Sequence, residues 1–199
     1  LKLDNEKNAV YILDEIINHK NLSNIIGIVN LSREFFNKKK QVSIDEKEMI
    51  KAIKSQIIGL NCLIDNMLKK NLLQNSSIVH IGSLNSRQVS HQPIAYHYLK
   101  GAIEAASKSL AYKLAKFNVR SNVILPGLVY DPSFKLDDKS KKIQEKSIPL
   151  KSGPPSTLDI ANLIYFLISE KSKAITGTSI IIDSGMSLPC TYDIISELI

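Results

Sequence analysis

With 199 residues, 44% of them hydrophobic, the chain is long enough for one domain with a substantial core, and no apolar run reaches the roughly 18 residues a membrane helix needs. Its net charge of +7 is almost all lysine, with arginine only at 33, 87 and 120. There is no aromatic-and-basic strip of the kind that holds single strands, which disfavours nucleic acid as a partner.

Cys62, Cys190, His19, His80, His91 and His97 match no metal-ligand spacing. So few thiols, together with a polar and charged opening at Leu1–Asn8, predict a cytoplasmic protein without a secretory signal. Along the chain, Asp4–Lys20 places Val10, Leu13, Ile16 and Ile17 on one helical face, with Asp4 or Asn5 as a cap. Asn24–Asn30 is a short apolar run and reads as a buried strand. A polar, lysine-rich loop, Ser32–Glu48, leads into a helix over Met49–Asn71. Ser77–Ile81 is the next strand, Ile94–Phe117 a long helix, and Ser121–Leu125 a third strand.

Tyr130–Ser156 is polar and carries four prolines, at 132, 149, 154 and 155, so it reads as a surface segment. A helix over Thr157–Ser169, capped by Ser156 or Thr157, then precedes the last strand, Ser179–Ile182. Strands alternating with helices of this length predict an α/β fold with a parallel sheet covered on both faces. The helices at 49–71 and 94–117 are apolar nearly all round. A helix on a sheet needs only one apolar stripe, so the extra apolar surface predicts a homodimer or homotetramer built on these two helices.

Two tyrosine–lysine pairs share the spacing Tyr-x-x-x-Lys: Tyr96 with Lys100, and Tyr112 with Lys116. In a chain with 7 tyrosines and many lysines, the spacing alone decides nothing. Context separates them. Gly82-Ser83 ends a strand thirteen residues before Tyr96, whereas Leu99 stands at that distance before Tyr112. Ligands of open parallel sheets lie outside the carboxyl ends of the strands, which is where Ser83 falls. An ammonium one helical turn from a phenol, on the same face, favours the phenolate. Tyr96 could then exchange a proton with a substrate oxygen while the Ser83 hydroxyl holds that oxygen. What remains is a two-electron transfer to carbon, which side chains cannot supply and a nicotinamide cofactor would.

Ser83, Tyr96-x-x-x-Lys100 and a strand ending in Pro126-Gly127 together resemble the short-chain dehydrogenase/reductase family. The likeness extends over Ala95–Val129 and Ile148–Leu188, including Ile175-Thr176-Gly177 and Asp183-Ser184-Gly185-Met186. Among its branches the chain looks most like the 3-oxoacyl-carrier-protein reductases and related carbohydrate-pathway reductases. The resemblance implies a Rossmann-like doubly wound parallel sheet in a three-layer sandwich, and an NAD- or NADP-dependent carbonyl/alcohol oxidoreductase. It assigns acid–base catalysis to Tyr96, ribose binding to Lys100 and substrate orientation to Ser83. Pro126, Gly127 and Val129 would meet the nicotinamide end. Asn30, Leu31 and Ser32 stand where the family has Asn-Ala-Gly beside the cofactor, and Gln56 falls near the family's proton-relay asparagine. Asp4 matches a carboxylate beside the adenine, or serves only as a helix cap.

No two of the glycines, at 27, 59, 82, 101, 127, 153, 177 and 185, lie close enough for the phosphate-binding turn with which the family opens. Residues 1–199 are therefore expected to form a single domain lacking the first βαβ unit, an N-terminally incomplete sandwich. The alternative is a non-catalytic, oligomerising remnant that has lost dinucleotide binding. Substrate choice is expected to reside in the loops Ser86–Pro93 and Tyr130–Ser156. The lysines of the latter suit an anionic substrate, such as a carrier-linked acyl group or a sugar nucleotide, or simply solvate an exposed segment.

Overall fold

The computed structural model describes residues 7, 10, 11, 14, 15, 24–32, 35–130 and 146–188. Asp4, most of the predicted helix Asp4–Lys20 and the lysines at 135, 139, 141 and 142 lie outside the described residues; positions 7, 10, 11, 14 and 15 are helical.

Four parallel strands form the sheet in the order β1-β2-β3-β4: β1 is Gly27–Asn30, β2 Ser77–Ile81, β3 Arg120–Pro126 and β4 Ser179–Ile182. The register pairs Gly27 with Ser77, Ser77 with Arg120, and Val123 with Ser179. β2 and β4 have their predicted bounds. β1 is shorter than Asn24–Asn30, and β3 gains a residue at each end.

The near-continuous apolar runs are explained by burial on both faces. In β3, Val123 and Leu125 pack with Ala52, Leu99 and Ile103 on one side. Ile124 faces the other way, against Val79 and Leu167. Helices α1 (Glu46–Ile53), α2 (Gly59–Lys69) and α3 (Ile94–Leu114) supply the first face, and α4 (Thr157–Ile168) supplies the second. The result is the predicted α/β architecture of three layers.

The predicted single helix over 49–71 starts earlier and is interrupted. Asp45 caps α1 by accepting the Glu48 N–H at 3.2 Å. Between α1 and α2 the chain makes a π-helical turn, Lys54–Ile58, in which Gly59 N–H reaches the Lys54 carbonyl. α4 opens with a reciprocal cap: Asp159 N–H donates to Ser156 Oγ at 3.2 Å, and Ser156 N–H donates to the Asp159 carboxylate at 2.7 Å. Each bond satisfies an N–H that the helix leaves without an internal partner.

Much of the apolar excess noted for the long helices is absorbed within the chain. Leu60, Leu63, Ile64, Met67, Leu99, Ile103 and Leu114 are buried in its own core. On these helices the large hydrophobic side chains left exposed are Ile50, Ile58, Tyr98 and Tyr112. The helices pack against each other as well as on the sheet, so they need more than one apolar stripe.

Candidate active site

The site lies at the carboxyl ends of β1, β2 and β3. Gly82 leaves β2 with its N–H on the Ile124 carbonyl at 2.8 Å. A Cβ at this position would sit 2.7 Å from Leu125 Cδ2 and 3.0 Å from Val123 Cγ2, so only glycine lets the chain pass so close to β3. Ser83 follows in extended backbone and caps a short 3₁₀ turn, Leu84–Ser86, by accepting the Asn85 N–H on Oγ at 3.2 Å. With that lone pair engaged, the hydroxyl proton can be given to a ligand oxygen.

Tyr96 and Lys100 lie one turn apart at the start of α3. The Lys100 ammonium is 5.6 Å from the centre of the Tyr96 ring and 3.4 Å from the Ile81 carbonyl, two residues before Ser83. Lys100 is only 7% exposed. Placing a lysine there costs desolvation unless its charge is held by polar groups. His97, next to Tyr96, donates from Nδ1 to the Asn85 carbonyl at 2.9 Å, so the Ser83 turn and the first turn of α3 are directly joined. Tyr112, by contrast, is 86% exposed, on a part of α3 remote from this rim.

The other predicted residues divide. Asn30 ends β1, and its side-chain amide donates to the Gln56 backbone carbonyl at 3.0 Å. Gln56 itself is buried within the π turn. Leu31 and Ser32 are exposed, and Ser32 binds back to the Asn30 side-chain oxygen through both its N–H, at 3.2 Å, and its hydroxyl. Pro126 is buried at the end of β3, with Gly127 and Val129 half-buried beyond it. At Gly127 an added Cβ would sit 2.7 Å from Asp183 Cβ, which forces the turn against the end of β4. Asp4 lies outside the described residues.

Sequence reasoning missed Glu104, two turns along α3 from Tyr96. Its carboxylate accepts Arg87 Nη2 at 2.6 Å and Nε at 3.1 Å, Ser86 Oγ at 2.7 Å, Ser179 Oγ at 2.8 Å and Lys108 Nζ at 3.3 Å. Burial pushes this carboxyl up, but hydrogen bonds from Arg87, Ser86, Ser179 and Lys108 outweigh it and hold it at about 2. A signal was present: Glu104 is the sole acid between Ile94 and Phe117. Behind the site, burial pushes the His80 imidazole down to about 4. Its Nε2 lies 3.3 Å from Ser121 Oγ, which in turn is 3.1 Å from Ser107 Oγ on α3.

A four-stranded parallel sheet with helices on both faces is a Rossmann-type doubly wound architecture. The family model described as Enoyl-(Acyl carrier protein) reductase matches residues 14–187, and the chain belongs to the short-chain dehydrogenase/reductase family. It is 28% identical over 193 residues to an uncharacterized oxidoreductase of Schizosaccharomyces pombe, covering 93% of this chain and 69% of that protein. It is 31% identical over 147 residues to the 3-oxoacyl-[acyl-carrier-protein] reductase of Mus musculus, covering 71% of this chain and 58% of that protein. Against this and two further curated relatives, pteridine reductase 1 of Leishmania tarentolae and glucose 1-dehydrogenase 2 of Bacillus subtilis, the chain spans only 50% to 58% of their length.

A short-chain dehydrogenase structure from Francisella tularensis superimposes with a TM-score of 0.75 at 29% identity, covering 94% of this chain and 79% of that one. A 4-hydroxyisoleucine dehydrogenase complexed with NADH shares the fold, with a TM-score of 0.74 at 21% identity, covering 96% and 80%.

Lys100 is buried at the strand rim, and the backbone at Gly127–Val129 leaves β3 at the same carboxyl end of the sheet. Among the described residues no helix of the structure is long and apolar enough to cross a membrane.

Proposed function

We propose that this chain carries the catalytic residues of an NAD- or NADP-dependent oxidoreductase that interconverts a carbonyl and a secondary alcohol. The observation that carries this reading is the buried Lys100 ammonium, held between the Tyr96 ring and the Ile81 carbonyl at the strand end that leads into Ser83. In the reduction direction, Tyr96 gives its phenolic proton to the substrate oxygen, and Ser83 donates a hydrogen bond to that same oxygen as charge develops on it. Lys100 binds the ribose hydroxyls, and the backbone of Pro126, Gly127 and Val129 faces the nicotinamide, with Asn30–Ser32 at the neighbouring rim. When bound, the cofactor supplies the hydride that no side chain can. Gln56 acts through its backbone carbonyl, with Asn30 holding the π turn in place.

The acyl-carrier-protein reductase among the relatives supports a carbonyl on a carrier-linked acyl chain as substrate. Self-association through the exposed stripe of α3, Tyr98, Ala102, Ala105 and Tyr112, completes the reading as a homodimer or homotetramer.

The test is Tyr96→Phe in the intact protein, assayed for NADH- and NADPH-dependent reduction of acetoacetyl-coenzyme A, with circular dichroism to verify folding. Turnover is lost and the fold retained; a folded variant that still turns over refutes the assignment. Calorimetry of the unmodified protein with NADH and NADPH separates this reading from a non-catalytic remnant, which binds neither.

A further inference from the structure

We propose that Glu104 is a positioning residue that, through Ser86 and Arg87, holds the Ser83 turn in register with Tyr96 and Lys100. The inference rests on the reading of Ser83 as the residue that orients the substrate.

A side chain at position 104 that served packing alone would be apolar. Glu104 lies on the same helix as Leu99 and Ile103 and is itself only 8% exposed. A buried carboxylate is costly unless donors saturate it. Here the donors come from the Ser83 turn, from β4 and from α3 itself. Arg87 approaches with two nitrogens, Nε and Nη2, both directed at Oε1, an arrangement stronger than a single neutral hydrogen bond. Ser86 takes the other oxygen.

Leu84 is buried, but residues 87–91 are all exposed, Val89 at 95%. Beyond Leu84, polar contacts among the described residues attach the turn to α3 at two places, Asn85 to His97 and Ser86-Arg87 to Glu104. Both attachments reach the helix that carries Tyr96 and Lys100. Ser83 and Tyr96 must meet a single substrate oxygen, so their relative placement has to hold to within a fraction of an ångström. Glu104 gives α3 a rigid grip on the turn, on the same helix and one turn beyond Lys100.

The test is amide hydrogen exchange on Glu104→Gln and on Arg87→Gln. The second variant changes a half-exposed side chain and spares the helix. Asn85, Ser86, Arg87 and Gln88 have their N–H groups bonded within the turn. Their exchange is expected to speed up by about tenfold or more, while Val79 and Val123 in the sheet keep their rates. Unchanged rates at Asn85–Gln88 in both variants, or an equal acceleration in the sheet, overturn the positioning role.

Turnover of acetoacetyl-coenzyme A supplies the second readout. Glu104→Gln lowers kcat by about tenfold and leaves the KM for the nicotinamide cofactor within about twofold. Added to Ser83→Ala it lowers kcat no further, because Glu104 acts through Ser83. A multiplicative loss in the double variant also overturns the positioning role. A fully active Ser83→Ala instead overturns the catalytic reading of Ser83, and the exchange measurement then still decides whether Glu104 anchors the turn.

Discussion

The side-chain amide of Asn30 donates a hydrogen bond to the backbone carbonyl of Gln56 at 3.0 Å. This joins the end of β1 to the π-helical turn between α1 and α2. A π turn widens the helix, and Asn30 supplies a side-chain donor to a carbonyl within it. Asn30→Ala removes that donor and is expected to lower the unfolding free energy by about 1–2 kcal/mol, measured by urea titration. The bond involves the backbone of residue 56, so Gln56→Asn keeps it and is expected to cost less than Asn30→Ala in the same titration.

Gly82→Ala tests how closely the Ser83 turn is laid on β3. The new methyl would meet Leu125 Cδ2 at 2.7 Å and the Ile124 carbonyl oxygen at 3.3 Å. Gly82 N–H is already bonded to that carbonyl, so the backbone cannot withdraw without breaking a hydrogen bond between the ends of two central strands. A loss of about 1–3 kcal/mol is expected by denaturant unfolding, with a shift in the amide resonance of Ser83. An unaltered unfolding midpoint would contradict the close approach.

Acid is expected to destabilise the fold in two overlapping steps. Well above pH 6.5 the His80 imidazole is neutral in both states. Between pH 6.5 and about 4 the unfolded chain binds a proton that the buried imidazole does not, so stability falls as pH falls, by about 3 kcal/mol in total. Glu104 behaves in the same direction lower down. Its contribution is complete above pH 4.5 and is lost as pH drops toward about 2, again by about 3 kcal/mol. Urea unfolding from pH 8 to pH 3 checks this. In His80→Leu the loss between pH 6.5 and 4 should disappear, and the loss below pH 4.5 should remain.

Tyr112→Phe is the control for Tyr96→Phe. Tyr112 shares the lysine spacing, but its side chain is exposed. Its unfolding midpoint and its nicotinamide-dependent turnover are expected to stay within experimental error of the parent. A drop in turnover comparable with that of Tyr96→Phe would remove the distinction between the two pairs.

The strands were legible because each is a short apolar run bounded by polar residues, and burial on both faces selects such runs. β2 and β4 therefore fall where the residue pattern places them. The preference for Tyr96 over Tyr112 rests on distance along the chain from a serine at a strand end, a feature that the residue order carries by itself. The π turn was not legible. Lys54–Ile58 has an ordinary helical composition, and what distinguishes it is a hydrogen-bond pattern paired with Asn30, 26 residues away. Nor was the apportioning of the apolar helices. Periodicity shows how much surface is apolar, not whether the sheet, a neighbouring helix or another chain covers it.

By itself, the order of residues determined the α/β alternation and the approximate place of each strand, because these depend on contacts within one element or between adjacent ones. The partners of the polar side chains were decided only by the tertiary structure. Glu104 meets Ser86 18 residues away and Ser179 75 residues away. The physical reason is that burial has a period that can be read along the chain. A hydrogen bond between distant polar groups has none, and exists only once the elements have packed.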